Sequence, residues 1–400
     1  METNVIGNIS ELALEQYCCG CTACSSICSL GAIRMVQNTR GFFTPEVDDV
    51  KCVHCGACLR VCQILSPKRV SSTIQKTAAI YKDDAARMGS SSGGVLSALI
   101  SLLDEKYRGN IHYFGVAFSE ELEAVHTEAV NVPDCRAFRG SKYIQSNLAG
   151  IYPRIAELLK AGKFVLFTGT GCQCSGLRNY LSEKKADDSR LLIVDLICHG
   201  VPSQKLWKAY LQTLESCYGQ KVVRYQFRNK QDGWRGQNPF AQLEDGTAVP
   251  KDVLLLSYGR LFGNLSLQEA CYSCKYANTE RTGDITLGDY WGIEKTSCHL
   301  DDGKGVSLCL INTEKGLHIF KELLPALDTW EIPDDSYLQP QLRSPTKKNI
   351  LCDSFWRDYL TNGYEYAARK YTGHSRPYRA AMKLWEGLKK IVFPKNDTPF

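Results

Sequence analysis

Long apolar stretches are missing from this sequence of 400 residues. No uninterrupted apolar run reaches the roughly 18 residues that a membrane-spanning helix needs. The N-terminal region carries Glu2, Glu11 and Glu15 where a signal peptide would carry basic residues. We therefore expect neither a signal peptide nor a spanning helix, and a cytoplasmic protein.

A Cys-x3-Cys-x2-Cys loop is also missing, so radical chemistry of the adenosylmethionine type is not indicated. Hydrophobic residues make up 44% of the chain and charged residues 23%, which is typical of soluble globular proteins. This length leaves room for a small module and one large or two ordinary domains with substantial cores.

Cysteine, by contrast, is abundant, with 19 residues, and eight of them form two runs of identical spacing. The runs are Cys18-x2-Cys21-x2-Cys24-x3-Cys28 and Cys52-x2-Cys55-x2-Cys58-x3-Cys62. In such a run three thiolates wrap one 4Fe-4S cubane and the fourth reaches across to the partner cluster. We therefore predict that one cluster is held by Cys18, Cys21, Cys24 and Cys62, and the other by Cys52, Cys55, Cys58 and Cys28.

Zinc is the alternative occupant of these runs. Zinc sites usually pair two Cys-x2-Cys hooks over a longer spacer, and a third cysteine at the next step has no use there. Two short strands, at residues 31–36 and 41–47 with a turn around Asn38, favour a bacterial two-cluster ferredoxin. Ser29 and Gln63 depart from the motif, which often carries proline at these positions.

The net charge does not point to nucleic acid. The formal charge is +5, but each oxidised cubane with its four thiolates adds about −2, so three clusters bring the total near −1. We expect no nucleic-acid partner.

The remainder of the chain is predicted to be α/β, with a turn at residues 89–94 that leads into an amphipathic helix. Serine and glycine before a helix can cradle a phosphate, because unpaired backbone N–H groups point at the anion. The same residues also serve as ordinary helix caps. The turn alone leaves both interpretations open.

Further cysteines follow two predicted strands, residues 164–167 and 191–198. Ligands gather at the carboxyl ends of parallel strands, so Cys172 and Cys198 could face each other there. With the hook Cys271-x2-Cys274 they supply the four thiolates of another cubane. Alternatively, Cys172 and Cys198 are small buried hydrophobic residues, and Cys174 could replace Cys172.

Several motifs in one order make the sequence resemble the coenzyme F420 hydrogenase/dehydrogenase beta-subunit family with a fused N-terminal dicluster ferredoxin. The matching segments are residues 91–94, 140–146, 162–177, 195–203, 227–234, the Cys271/Cys274 hook and 288–292. The resemblance runs from about residue 15 to about residue 330. Gly171 departs from it, since the family usually has proline before the cysteine.

The resemblance implies an iron–sulfur flavoprotein oxidoreductase that binds FAD beside a third 4Fe-4S cluster. It places the cluster on Cys172, Cys198, Cys271 and Cys274. It places FAD on Ser91, Ser92, Gly93, Gly94, Ser141, Lys142, Tyr143, Thr168, Gly169 and Thr170.

Two of these segments also carry candidate catalytic residues. Lys142 could neutralise a flavin phosphate or the reduced flavin anion, although a lone loop lysine is more often solvated. His199 could relay a proton to the flavin, although packing or a backbone hydrogen bond is the commoner role.

The predicted organisation has an N-terminal ferredoxin fold followed by a larger α/β flavin-binding domain. We assign residues 1–66 to the dicluster ferredoxin, 67–76 to a linker, and 77–160 and 161–335 to the two parts of the flavin-binding domain. Residues 336–400 form a helical tail. Its last apolar face, from Ala381 to Val392, could contact a membrane or partner peripherally, or dock on its own domain.

The sequence thus predicts an oxidoreductase that moves electrons between 4Fe-4S clusters, FAD and a redox partner or small substrate. The expected partner is ferredoxin, a deazaflavin or a partner redox subunit. The alternative is a non-catalytic electron-transfer subunit of a larger hydrogenase or dehydrogenase complex.

Overall fold

The protein is represented by a computed structural model that describes residues 7–12, 14–68, 73–231, 233–236, 238–250 and 264–372. The predicted apolar helix from Ala381 to Val392 lies outside the described residues. In the part of the chain that is described, no helix is long and apolar enough to cross a membrane.

The N-terminal module contains three short helices and one hairpin: α1 (Leu14–Tyr17), α2 (Ala23–Ile27), β1 (Ile33–Gln37), β2 (Phe43–Val47) and α3 (Ala57–Arg60). The two strands pair antiparallel, as predicted. Thr22 and Gly56 directly follow the second cysteine of each run, and both adopt a left-handed φ, 65° and 69°. The two halves of the module therefore share one local geometry.

The remaining strands follow in chain order: β3 (Gln75–Tyr81), β4 (Ile111–Phe118), β5 (Ala124–Ala129), β6 (Phe164–Thr170), β7 (Leu191–Leu196), β8 (Val222–Gln226), β9 (Phe240–Leu243), β10 (Ile285–Asp289), β11 (Ser307–Ile311) and β12 (Leu327–Glu331). The helices are α4 (Asp84–Met88), α5 (Val95–Tyr107), α6 (Ile151–Lys160), α7 (Gly171–Glu183), α8 (Gln204–Tyr218), α9 (Glu314–Leu323) and α10 (Cys352–Tyr371). The last helix is interrupted at Gly363, where φ is 81°.

Eight strands form one mixed sheet in the order β12-β3-β11-β10-β7-β6-β4-β5. The four central strands, β10, β7, β6 and β4, are parallel, and antiparallel strands flank them on both sides. The carboxyl ends of β6, β7 and β10 therefore lie at one edge of the sheet. Together with the ferredoxin-like hairpin module, this sheet confirms the predicted fold class.

Helices cover both faces of this sheet. On one face α5 and α9 bury Leu99, Leu103 and Phe320 against the strands. On the other face α6 and α7 form a core that also takes in Ile27 and Val61 of the ferredoxin module. Full burial of such a side chain contributes about 1.5–3 kcal/mol. The ferredoxin module is thus docked through shared core residues, not only through a tether.

β6 extends to Thr170 and β7 ends at Leu196, a few residues from the predicted ends, and two element starts also differ from the sequence prediction. β3 begins at Gln75, inside the expected linker, because these residues pair with β11 and β12. α7 begins at Gly171 and not near Leu177. Its first turn is stabilised locally, since the backbone N–H of Thr170 donates to Gln173 Oε1 at 2.9 Å. Both differences come from pairing or capping that the hydrophobic pattern does not record.

Candidate functional site

The four cysteines outside the ferredoxin module converge at the carboxyl edge of the parallel strands. Cys172 lies in the first turn of α7, Cys198 follows β7, and Cys271 and Cys274 flank a short turn. Each lies close enough to the others for their charges to interact. The topology thus brings together the predicted third ligand set.

The chemistry of these thiols fits a cationic centre. Burial raises the pKa of Cys198 to about 12 and that of Cys274 to about 11. Burial also raises the pKa of Cys271, whereas side-chain hydrogen bonding lowers the pKa of Cys172 to about 7. Coordination to a metal would remove the proton that each of the other three thiols keeps. The backbone N–H of Tyr276 donates to Cys274 Sγ at 3.4 Å, and N–H donors of this kind stabilise a thiolate. The donor set therefore suits an iron–sulfur cluster.

A buried ion pair between Arg281 and Asp195 holds the backbone near two of these cysteines. Arg281 Nη2 lies 2.9 Å from Asp195 Oδ2, and the two side chains are only 2% and 0% exposed. Arg281 also donates to the carbonyl oxygens of Tyr276 and Leu196, which lie beside two of the cysteines. The pair therefore fixes both cysteine-bearing segments relative to β7.

The structure distinguishes Cys172 from Cys174. Cys172 lines a cavity at the sheet edge, whereas Cys174 is fully buried in the core with Leu177 and Tyr180. Two residues along a helix turn by about 200°, so the two thiols point to opposite sides. Cys174 is therefore not placed to substitute for Cys172.

Four ferredoxin cysteines lie close together in the structure, whereas the place of Cys28 in the second set stays a prediction. The charges of Cys18, Cys21, Cys24 and Cys62 interact with one another. Cys58 interacts in the same way with Cys52, while Cys55 is exposed. The first set is thus the inner one, beside the eight-stranded sheet, and the outer set reaches solvent at Cys55.

No three Cys, His, Asp or Glu side chains in the described ranges lie close enough to chelate a single ion.

A cavity of about 260 Å³ lies against the core cysteines. Its walls combine the four cysteines with the predicted flavin-binding segments and with His199. The lining includes Ser141, Lys142, Tyr143, Thr168, Gly169, Thr170, Cys172, Cys198, His199, Cys271 and Cys274. The structure therefore brings most of the residues predicted for FAD and for the third cluster around one space.

The turn at residues 91–94 lies behind this wall. Ser91 Oγ accepts a hydrogen bond from the backbone N–H of Ser141 at 2.8 Å, and Ser92 Oγ donates to the carbonyl of Val306 at 2.9 Å. Gly94, with φ 86°, precedes α5, whose first turn has no side-chain cap. Leu96 of that turn lines the cavity.

Gly93 serves packing in this turn. A Cβ at this position would lie 2.3 Å from the Ala79 carbonyl oxygen and 2.6 Å from the Ser307 nitrogen. No side chain fits there, whatever the ligand. The glycine expected to permit approach of a phosphate is thus required by the sheet itself.

Lys142 is held inside the cavity wall. Its Nζ donates to the carbonyl oxygens of Ala137 and Arg139 at 2.6 and 2.9 Å. Burial lowers the pKa of Lys142 to about 7. The side chain therefore changes charge near neutral pH.

Two residues of the C-terminal segment form hydrogen bonds with His199. Gln341 Nε2 donates to its Nδ1 at 3.1 Å, and Thr346 Oγ1 donates to its backbone carbonyl at 2.6 Å. Burial lowers the pKa of His199, so the ring is neutral at pH 7. These contacts support the packing role that the sequence left open, and the proton relay stays a proposal.

Two glutamines that carried no individual prediction join the modules at the cavity. Gln145 accepts from the backbone N–H of Phe43 at 2.8 Å. Gln268 Nε2 donates to the carbonyl of Cys18 at 2.7 Å. Gln145 lies within a family segment, but nothing in the local pattern around Gln268 indicates its role. Both place the inner ligand set next to the core set.

Comparison with known families agrees with these features. Residues 162–334 match the family model for the C terminus of the beta subunit of coenzyme F420 hydrogenase/dehydrogenase, and residues 17–64 match the 4Fe-4S dicluster domain. These matches confirm the resemblance that the motifs indicate. The chain carries both domains.

Similar proteins include the F subunit of the F(420)H(2) dehydrogenase of Methanosarcina mazei, 23% identical over 201 residues, covering 48% of this chain and 55% of that protein. The B subunit of the ion-translocating oxidoreductase complex of Methanosarcina acetivorans is 42% identical over 56 residues, covering 14% and 19%. The first match spans about half of that relative's length. A chain of the F420-reducing NiFe hydrogenase complex from Methanosarcina barkeri aligns with TM-score 0.45 and 16% identity, covering 75% of this chain and 92% of that one.

Proposed function

We propose that this iron–sulfur electron-transfer protein, similar to the beta subunits of F420 hydrogenases and dehydrogenases, is an FAD-dependent oxidoreductase. It moves electrons between its clusters, FAD and a redox partner or small substrate. One observation carries the proposal: a single cavity is lined both by four cysteines and by two of the three segments that the family resemblance assigns to FAD, residues 141–143 and 168–170.

FAD, when bound, exchanges electron pairs with a substrate and single electrons with iron–sulfur clusters. The chain offers its diphosphate the uncapped N-terminus of α5, where backbone N–H groups and the helix dipole attract anions. Lys142 lines the same cavity and can add a positive charge there. Thr168 to Thr170 form the wall beside Cys172.

Three 4Fe-4S clusters are part of this proposal. The ligand sets are the inner and outer ferredoxin cysteines and the core set of Cys172, Cys198, Cys271 and Cys274. The core set supports a cluster because its thiols are deep, mutually close and supplied with N–H donors.

The surface beside the outer set favours a second candidate, an electron-transfer subunit that needs a larger partner for chemistry. Cys55 is exposed, and Val50 and Val53 are 98% and 67% exposed around it. The similar proteins are themselves named as subunits of dehydrogenase or oxidoreductase complexes. Such a surface suits contact with a partner that carries its own redox centre.

The test is anaerobic purification followed by metal and cofactor analysis. We expect about twelve iron and twelve acid-labile sulfide per chain, and FAD released by heat without covalent attachment. A content of about eight iron per chain would show that the core cluster is absent. Zinc in place of iron would contradict the iron–sulfur assignment. If the protein retains no FAD after reconstitution, the flavin-binding part of the proposal is wrong.

A panel of acceptors then separates the two candidate functions. Turnover of a small molecule or deazaflavin by the isolated chain supports the enzyme. Reduction of the chain without turnover, together with tight co-purification of a dehydrogenase-like or hydrogenase-like protein, supports the electron-transfer subunit.

A further inference from the structure

Side chains supply some of the hydrogen bonds that hold the end of β6. Backbone pairing with β4 ends at Phe167, just before the residues of β6 that line the cavity. Beyond that point His126 Nε2 lies 3.2 Å from the carbonyl oxygen of Thr168. The backbone N–H of Thr170 donates to Gln173 Oε1 at 2.9 Å. Buried backbone groups need partners, so these side chains take the place of a neighbouring strand.

Two further hydrogen bonds join these contacts into one ring. Gln173 Nε2 donates to Ser146 Oγ at 3.0 Å, and Ser146 Oγ lies 3.0 Å from His126 Nδ1. The ring thus runs from the N–H of Thr170 through three side chains and returns to the carbonyl of Thr168. Ser146, Gln173 and Thr168 line the cavity, whereas His126 is 5% exposed and lies behind them.

The ring also fixes the tautomer of His126. A carbonyl oxygen only accepts, so Nε2 must carry the proton that it donates to Thr168. Burial lowers the pKa of His126 to about 4, which leaves Nδ1 without a proton at pH 7. The Ser146 hydroxyl therefore donates to Nδ1, while its oxygen accepts from Gln173. Every donor in the ring meets an acceptor, as buried polar groups require.

Two of the segments assigned to FAD meet in this ring. Residues 168–170 form one of them, and Ser146 follows the other, residues 141–143, by three positions. The backbone N–H of His126 donates to the carbonyl of Asn147 at 2.8 Å, so the chain beside Ser146 is held against β5 as well. His126 therefore connects both segments of the cavity wall through side-chain and backbone contacts.

We propose that His126 is a positioning residue for FAD, which aligns the two wall segments through the donor Nε2–H and the acceptor Nδ1. The proposal rests on the proposed function, because it requires FAD in this cavity. His126 acts through residues 168–170 and Ser146, whose conformations it limits before FAD arrives. A preorganised site binds more tightly, because less conformational entropy is lost on binding. Breaking the ring should therefore weaken FAD binding and leave the clusters in place.

The experiment measures the dissociation constant of FAD by equilibrium dialysis, on the anaerobic full chain freed of flavin. Iron content and the free energy of unfolding are measured beside it. His126→Phe keeps the stack on Phe167, whose ring centroid lies 5.6 Å from that of His126, but loses both side-chain hydrogen bonds. His126→Gln keeps an N–H donor for Thr168, whereas His126→Asn keeps only an acceptor for Ser146.

We expect His126→Phe to raise the dissociation constant of FAD about tenfold, in line with the loss of one or two hydrogen bonds. His126→Gln should restore most of the affinity, and His126→Asn should not. His112→Phe is the matched control, because this half-buried histidine near the amino end of β4 contacts Glu128, opposite the cavity. It should leave the dissociation constant of FAD unchanged.

Stability and affinity separate the outcomes. A merely structural His126 would lower the free energy of unfolding and leave the FAD affinity of the folded protein unchanged, which would overturn the proposal. Equal affinities of His126→Gln and His126→Asn would also overturn it, and this pair decides the question if His126→Phe does not fold. If the unaltered protein retains no FAD on reconstitution, the proposed flavin function fails and the His126 role fails with it.

Discussion

The two cysteine-rich regions gather their thiols in different ways. The ferredoxin module takes eight ligands from two runs of one spacing, and each run folds around a short helix that begins after a left-handed residue. The core set takes its cysteines from the start of α7, the end of β7 and a distant hook. The first arrangement is local, whereas the second depends on the whole sheet.

The regions also differ in exposure. Cys55 of the outer ferredoxin set is exposed, whereas the core set lies beneath a cavity and above a buried ion pair. A redox centre near the surface suits exchange with a partner. One in a low-dielectric interior is controlled by the charges and hydrogen bonds around it. Four predictions test this contrast.

The largest effect should come from removing one ligand in each region. Cys274→Ser should lower iron by about four atoms of about twelve and leave the ferredoxin signals intact, because those ligands belong to another module. Cys55→Ser should instead weaken the outer ferredoxin signal and leave the core signal intact. Iron analysis and electron paramagnetic resonance measure both.

Cys217→Ser is the control, since this exposed thiol belongs to no ligand set. Unchanged iron in Cys274→Ser would exclude Cys274 as a ligand. Loss of every cluster in either variant would mean that the two regions do not hold their clusters independently.

A second contrast compares the ion pairs of the two regions. Arg281→Met leaves Asp195 charged and buried, and we expect the free energy of unfolding to fall by about 3–5 kcal/mol. Arg34→Met breaks the pair with Glu46 in the ferredoxin hairpin, whose side chains are 78% and 51% exposed, and should cost less than about 1 kcal/mol. Anaerobic denaturant unfolding compares them, and equal losses would contradict the assigned burial.

A third prediction concerns the hydrogen bond from Gln268 that joins the two cysteine-rich regions. Gln268→Ala removes the donor to the carbonyl of Cys18 and should cost about 1–3 kcal/mol, because that buried carbonyl loses its partner. Hydrogen exchange should then rise in residues 14–24 more than in β6 or β7. Gln220→Ala, which removes an exposed side-chain contact to Asp245, is the control. Uniform protection in both variants would show that other contacts hold the module.

The smallest effect concerns pH and the cavity. Lys142 is charged below its pKa of about 7 and neutral above it, so a bound diphosphate loses an attractive charge as pH rises. We expect FAD affinity to fall by about tenfold between pH 6 and 9, equivalent to about 1.4 kcal/mol. Equilibrium dialysis of FAD at several pH values measures it.

Two variants sharpen this result. Lys142→Arg keeps its charge over the whole range and should bind FAD with little pH dependence. Lys142→Met should bind weakly at every pH. If Lys142→Met binds FAD with the same pH dependence as the wild-type protein, a group other than Lys142 causes that dependence.

The sequence by itself determined the features that depend on neighbouring residues. The two cysteine runs, the hairpin at β1 and β2, and the strands β6 and β7 all follow from spacing and hydrophobic pattern within a few residues. The spacing also predicts that Cys62 joins Cys18, Cys21 and Cys24, because the fourth cysteine of such a run reaches across to the partner cluster, and these thiols lie close together. The match of residues 17–64 to a 4Fe-4S dicluster domain agrees with this local signal.

Only the tertiary structure decided which residues meet across elements. It turned Cys172 toward the cavity and Cys174 into the core, a choice that depends on where α7 begins. It showed that Gly93 is required by contact with β3 and β11. It also brought Cys19 of the ferredoxin module to the cavity that the core cysteines line. Such contacts arise from sheet order and from the packing of one module on another. Neither can be read from the hydrophobic periodicity of the sequence.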